Sequence, residues 1–510
     1  MTAHVATVTL LGIQPTTVEV QVQPRPGLPN LIIVGLPDNA VKESRERVQA
    51  ALHALGLALP AKRLAINLAP ADVLKEGSQF DLPIAIGLLI ALGALPTDAA
   101  DRALFLGELG LDGRLTPVPG ALPAAIHANA TGLSTLYVPA ANAPEAAWAG
   151  GGLQVYGVNH LADLIAHLKG DRALTPAQPG RPAHITPSNK DFADIRGQEG
   201  AKRAAEIAAA GGHNLLMVGP PGSGKSMLAA RLSTILPPLT PAQALETSLI
   251  HSVAGLLTEG HLIAQRPFRD PHHTASPVAL TGGGLRAKPG EMSLAHHGIL
   301  FLDELPEFPR QVLETLRQPI ETGHIVVARA NAHIQYPARF QLIAAMNPSP
   351  CGYLGHPTTP CTSSAKQIQA YRARLSGPLL DRIDLHLEVP AVAVKDLSLP
   401  PAKEGSAAIA ARVAQARQVA MQRFHKLGLP ERFDCNARAE GDVLTAIATP
   451  TPEGQQFLTT AAEKFNLSAR AYHRALKVAR TLADLAGDAT LAKPHLAEAL
   501  SYRYIPYQAE

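Results

Sequence analysis

The chain has 510 residues, 46% of them apolar, and a net charge of only +3, so two to four domains with sizeable cores are expected and no polybasic tail marks a nucleic-acid or membrane anchor. Aromatic residues make up 4%, too few for a base-stacking platform, so any nucleic-acid contact would rest on backbone charge. Residues 1–170 hold 10 Lys/Arg and 13 Asp/Glu, a net of −3 that leaves +6 for the remainder, and the C-terminal two-thirds is therefore the side for an anionic partner.

In chain order, residues 1–169 alternate β-like runs with helical ones. The strands are expected at Val5–Leu11, Thr17–Val22, Leu31–Val34 and Leu64–Leu68, the helices at Asp38–Leu55 and Asp81–Leu95. That is the pattern of an α/β or α+β domain. The start of the chain lacks the basic n-region of a signal peptide. The longest apolar stretch, Ile84 to Leu95, is too short to span a bilayer and reads as a buried helix. The three cysteines, Cys351, Cys361 and Cys435, make no disulfide framework and fit a reducing cytoplasm. A cytoplasmic protein with no membrane contact is expected. Residues 170–190 carry Pro176, Pro179, Pro182 and Pro187 without periodicity and read as a linker.

From residue 191 to about 400, strands and helices alternate as in a doubly wound nucleotide-hydrolysing core. The decisive stretch is Gly219-Pro220-Pro221-Gly222-Ser223-Gly224-Lys225-Ser226, between the apolar run Asn214–Val218 and the helical pattern Met227–Ile235. The order strand, glycine loop, helix turns a short motif into a nucleotide site. The glycines let successive N–H groups face phosphate oxygens, and the helix that starts there adds its positive dipole end. Lys225 would reach the β- and γ-phosphates of ATP, and Ser226 would offer its hydroxyl to Mg²⁺. Next, Ile299–Leu302 is an apolar strand ending in Asp303 and Glu304. Asp303 would hold Mg²⁺ and Glu304 would polarise the attacking water. A third apolar strand, Phe340–Met346, ends at Asn347, whose amide can contact a γ-phosphate or simply make a turn.

Cys351, His356 and Cys361 fall within eleven residues, but structural zinc wants four ligands, so zinc is not expected here unless His273, His296 or His297 completes the set. Arg382 follows the short helix Gly377–Leu380. It is either an arginine finger across a subunit interface or a partner of Asp381 or Asp384. Residues 401–510 read as helices at Ser406–Lys426, Ala437–Ala448, Thr451–Phe465, Ala469–Ala486 and Lys493–Arg503, an all-α lid. Ser468 is a plausible N-cap. Arg470 and Arg474, four apart, share one helix face, either reaching the nucleotide or lying solvated.

Taken together, these strings resemble an AAA+ ATPase of the Mg-chelatase-like group, most closely the ComM/YifB family. The strings are Arg266–His273, Leu280–Gly284, Pro289–His296, Ile299–Phe308, Ala345–Pro348 and Leu379–Arg382. The resemblance runs nearly end to end. It implies a homo-hexameric ring with ATP and Mg²⁺ between subunits, and assigns sensor-1 to Asn347, the finger to Arg382 and sensor-2 to Arg470. It implies three parts: a Lon-protease-like (S5-like) α/β domain over 1–169, an AAA+ P-loop α/β core over 191–400, and a C-terminal α-helical lid over 401–510. The first part echoes the Lon-type fold at Pro70–Ser78 and Gly113–Gly120. Lon-type proteolysis needs a Ser–Lys dyad, yet no lysine occurs between Lys75 and Lys169, and Ala124 lies near the lysine's expected place. The domain is read as non-proteolytic.

Inserts in related rings line the central pore. The segment Thr247–His297 is long for a connection, and its glycine tip carries Arg286 and Lys288. A hairpin over Ile325–Gln335 carries Arg329. These three cations are the expected DNA contacts, against the alternative of an ordinary surface loop. By resemblance to the ComM/YifB family, the leading function is a DNA motor: a branch-migration helicase in recombination during natural transformation. The rivals are a metal-chelatase motor subunit and a protein-remodelling ATPase. Family members often carry a further cysteine where Ser363 stands here, which also weighs against zinc.

Overall fold

The computed structural model describes residues 2–180, 189–257, 259–284, 287–329, 332–356, 358–391, 404–430 and 433–503. The expected N-terminal strands form as Ala3–Leu11, Gln14–Arg25, Asn30–Val34 and Arg63–Ala69, and join three later strands in a mixed seven-stranded sheet. In Gln14–Arg25, alternate residues Val18, Val20 and Val22 are fully buried, as a period of two requires of a sheet with one covered face. The helix Asp81–Ala91 covers them and is buried along its whole length save Ala91. It can lie that close because of Gly87, where a Cβ would stand 2.7 Å from Val22 Cγ2.

The expected linker departs from a free tether. Ala177 N–H donates to Val155 O at 2.7 Å and Gly180 N–H to Pro144 O at 3.0 Å, so Pro176 and Ala177 lie along the strand Gln154–Val158 and Gly180 is held by the short helix Ala143–Ala146. Pro182 and Pro187 lie outside the described residues.

The phosphate-loop region is built on a five-stranded sheet, ordered Phe268–Arg269, Ile299–Leu302, Gln341–Met346, Leu215–Val218, Leu385–Glu388, with every neighbouring pair parallel. The three central strands are buried at every residue, because helices cover both faces of such a sheet. The C-terminal helices form at Ser406–Lys426, Pro452–Lys464, Ala469–Ala486 and Lys493–Ser501. Ser468 caps the third of these, accepting from Ala471 N–H at 3.1 Å. The helix expected over Ala437–Ala448 is broken. A short turn over Asn436–Arg438 precedes the helix Gly441–Ile447; extended backbone at Ala439 and Glu440 separates the two, and Gly441 opens the second with a left-handed φ of 53°. Among the described residues no helix is long and apolar enough to cross a membrane.

The N-terminal sheet region meets the helix Pro241–Ala254 of the nucleotide core. Gly120 N–H donates to Ser252 O at 3.0 Å, and Trp148 Nε1 donates to Gly260 O at 3.0 Å. Glu145 is buried at this junction, bonded by Asn142 at 2.8 Å. Its Oε2 is buried without a hydrogen-bond partner within geometric reach among the described residues. Burial pushes its carboxyl from 4.5 up to about 7, partly countered by Asn142 and Ser252. A carboxyl raised on folding contributes stability below its unfolded value, and that contribution is lost as pH rises through about 7. Glu145→Gln is therefore expected to stabilise the fold by up to about 3 kcal/mol at pH 8 and by about half of that at pH 5.5. Urea unfolding at both pH values measures it, and an equal effect at the two would refute the charge argument.

Candidate active site

The loop 219–224 leaves the buried strand Leu215–Val218 and enters the helix Lys225–Leu232. Gly222 and Gly224 take left-handed φ values of 75° and 84°, where a side chain is strained. At Gly219 a Cβ would stand 2.1 Å from Val389 O, so the loop's first turn has room only for glycine. Gln198 Nε2 braces the loop by donating to Ser223 O at 2.6 Å.

Lys225 is buried, and its ammonium donates to Gly219 O at 2.7 Å, Pro220 O at 2.9 Å and Asn347 Oδ1 at 3.3 Å. Burial lowers its pKa, and the charges of Asp303 and Glu304 oppose the shift. Ser226 Oγ donates to Asp303 Oδ2 at 2.6 Å. Two hard oxygens so placed fit adjacent ligands of Mg²⁺, which lie about 2.9 Å apart in an octahedron with 2.0–2.1 Å bonds. Glu304 follows with a left-handed φ of 51°. The ends of three neighbouring strands thus bring together Lys225, Ser226, Asp303, Glu304 and Asn347.

Three members of this site carried no part in the nucleotide site expected from the sequence, where His273 stood only as a possible further zinc ligand. His273 Nδ1 lies 3.3 Å from Glu304 Oε2 and holds the carboxylate that would orient water. Asp270 is a third acid; burial, then the charge of Asp303, raises its pKa. Gly352, at φ 83°, lets its loop meet Pro221, where a Cβ would stand 2.6 Å from Pro221 Cδ. The only signal for the first two was their place in Arg266–His273, with nothing to say which strand end it meets.

Arg382 lies elsewhere. The strand Leu385–Glu388 pairs Leu385 with Leu215 and Glu388 with Val218. The phosphate loop leaves at the Val218 end, whereas Arg382 precedes the Leu385 end, about 13 Å away across four residues. Arg382 is buried and pairs with neither Asp381 nor Asp384; its guanidinium meets Glu321 at 2.5 Å and Pro378 O at 2.6 Å. Arg470 and Arg474 separate in the same way: Arg474 pairs with buried Asp384, while Arg470 stays exposed in the first helical turn.

The glycine tip forms as a short ladder of Gly282–Gly283 with Lys288–Pro289, and Lys288 is exposed. The second hairpin forms as His324–Arg329 with Ala332–Pro337. Arg286 lies outside the described residues, and so does the side chain of Arg329. Cys351 and Cys361 bring their sulfurs to 3.2 Å. His356 does not join them; its ring accepts from Thr359 N–H at 3.0 Å. His296 and His297 gather around Glu246 instead.

The profile described as magnesium chelatase, subunit ChlI, matches residues 191–397, that of its C-terminal region matches 403–503, and a further ChlI profile matches 18–142. Competence protein ComM of Haemophilus influenzae is 45% identical, over 97% of this chain and 96% of its own length. The chain belongs to the ComM/YifB family. YifB of Escherichia coli is 44% identical over 97% of this chain and 96% of its own. The magnesium-chelatase 38 kDa subunit of Rhodobacter capsulatus is 26% identical over 34% of this chain and 55% of its own. Membership of this Mg-chelatase-like AAA+ family implies an ATPase that uses ATP with Mg²⁺.

Two variants separate binding from hydrolysis. Lys225→Ala is expected to abolish binding of a fluorescent ATP analogue. Glu304→Gln should keep that affinity within a few-fold and slow phosphate release at least about 100-fold. Wild-type turnover in Glu304→Gln would remove the water-polarising role.

Proposed function

We propose that the protein is an ATP-driven, homo-hexameric DNA motor of the cytoplasm that migrates branched DNA during recombination in natural transformation. Near full-length similarity to a competence protein supports the setting. The observation that carries the DNA reading is the adjacency of the two inserts. A Cβ at Gly283 would stand 3.8 Å from Val327 Cγ1, and Tyr336 Oη donates to Ala287 O at 2.7 Å. Lys288 therefore belongs to one paired tip with the hairpin that carries Arg329, and Arg286 falls between Gly283 and Lys288 in the sequence. A cationic tip of this kind suits a phosphate backbone rather than an apolar protein client.

In this reading the part over 191–400 is the motor and the part over 401–510 its lid. Lys225 and the loop N–H groups bind the phosphates, Ser226 and Asp303 hold Mg²⁺, and Glu304 orients water with Asn347 beside it. The bound Mg²⁺ supplies charge neutralisation on the phosphates. Arg382 points away from its own chain's loop, which supports action on a neighbouring subunit, with Glu321 releasing it on assembly. Arg470 is free to do the same from the lid. The N-terminal part, 1–169, is read as a non-proteolytic Lon-like module. Its Ser78 hydroxyl donates to Glu108, and Ala124 is buried in an apolar cluster.

ATP hydrolysis should rise several-fold with branched DNA, and charge reversal at Arg286, Lys288 and Arg329 together should remove most of that rise. Turnover indifferent to DNA would leave the ATPase and sink the DNA motor in favour of a chelatase-type or protein-remodelling role. Subunit mixing tests the finger: Lys225→Ala and Arg382→Ala proteins, each inactive alone, should regain part of the activity when combined. Absence of rescue would confine Arg382 to its own chain.

A further inference from the structure

A second cavity lies at the end of the core sheet opposite the phosphate loop. Its volume is about 410 Å³, within the range of small-ligand sites. One wall is the set of loops that feed the parallel strands, at Asn214, Gly298, Arg339 and Asp384; the other is the helical lid. Six cations line it: Arg266, Arg339, Arg417, Arg438, Arg474 and Lys477. Four acids line it too, and each is engaged. Asp384 pairs with Arg474, Asp434 with Arg438 at 2.8 Å, Glu440 with Lys477 at 3.7 Å, and Glu321 with Arg382 at 2.5 Å.

Three guanidinium groups are left without a carboxylate among the described residues. Arg266 donates to Pro237 O at 2.7 Å and His297 O at 2.6 Å. Arg417, buried, donates twice to Ala209 O, at 3.0 and 2.8 Å. Arg339, half-buried, has no side-chain partner at all among the described residues. Neutral carbonyls satisfy donors but cancel no charge. Burial, and then the neighbouring Arg417, already pull Arg266 down to about 10. A partly buried cluster of unpaired guanidinium groups gains most from a multivalent anion that takes several forked hydrogen bonds at once.

We propose that this cavity binds an oligophosphate anion, free or as the tail of a nucleotide. Arg266 and Arg339 reach it from the core and Arg417 from the lid, so the bound anion ties the two together. The site lies at the opposite end of the sheet from the same chain's phosphate loop and shares none of Lys225, Ser226, Asp303, Glu304 and Asn347.

The test uses full-length Lys225→Ala protein, in which the phosphate loop is disabled, and calorimetric titration with inorganic tripolyphosphate in the absence of divalent cations. One saturable site is expected. Arg339→Glu should weaken it at least tenfold and Arg339→Gln by a smaller factor, with melting temperatures unchanged. Parallel titration with ATP separates the two sources. ATP tighter than tripolyphosphate indicates a nucleotide, and equal affinities indicate that the phosphate chain suffices. No saturable binding, or binding that Arg339→Glu leaves unchanged, overturns the proposal, while the ATPase reading stands or falls on Lys225 and Glu304 alone.

Discussion

One buried carboxylate, Asp384, ties the nucleotide core to the helical lid. It accepts from Asn214 N–H at 3.0 Å, pairs with Arg474 of the lid, and lies 3.6 Å from His213 Nδ1. Burial works against the charge, but Arg474, His213 and Lys477 overcome it and hold the carboxyl well below the usual carboxylate range. His213, wholly buried, is itself pushed toward the neutral form. Removing one partner from a buried pair leaves an uncompensated charge, at a cost of about 3–5 kcal/mol. Asn214 extends the knot: its side chain accepts from Leu342 N–H at 2.8 Å and donates to Arg382 O at 3.2 Å. The strand that leads to the phosphate loop, its sheet neighbour, the Arg382 loop and the lid are therefore set by one hydrogen-bonded group.

The polarity of the parallel sheet organises everything else. All five strands run the same way, so one end gathers the loops after the strands and the other the loops before them. Lys225, Ser226, Asp303, Glu304 and Asn347 occupy the first end. Arg382, Asp384 and the cation-lined cavity occupy the second. A chain built this way separates its phosphate-binding groups from its buried arginines by the thickness of the sheet, and only a second molecule can bring the two ends face to face.

The N-terminal sheet region touches both the core helix Pro241–Ala254 and the second insert. At Gly12, in the turn between its first two strands, a Cβ would stand 2.6 Å from Ile334 Cγ2, and Ile13 packs on the cluster that holds Tyr336. The insert hairpin is thus backed by the N-terminal region rather than projecting alone, which couples any movement of the hairpin to that region.

The sequence by itself determined what is local. The phosphate loop is one contiguous stretch whose glycines, lysine and serine act through backbone geometry and the helix start, so its place was readable. The strands ending in Asp303 and Asn347 were readable from apolar runs, and four of the lid helices from their periodicity. The lid's break before Gly441 was not, because extended backbone at Ala439 and Glu440 and a left-handed Gly441 interrupt an otherwise helical pattern. What only the tertiary structure decided is long-range. His273 reaches Glu304 across 31 positions of chain and Arg382 finds Glu321 rather than Asp381 or Asp384. Cys351 meets Cys361 while His356 stays apart, and the unpaired arginines of the cavity come from three separate segments. Charge pairing depends on which loops the strand order places at the same end of the sheet, and no spacing along the chain encodes that.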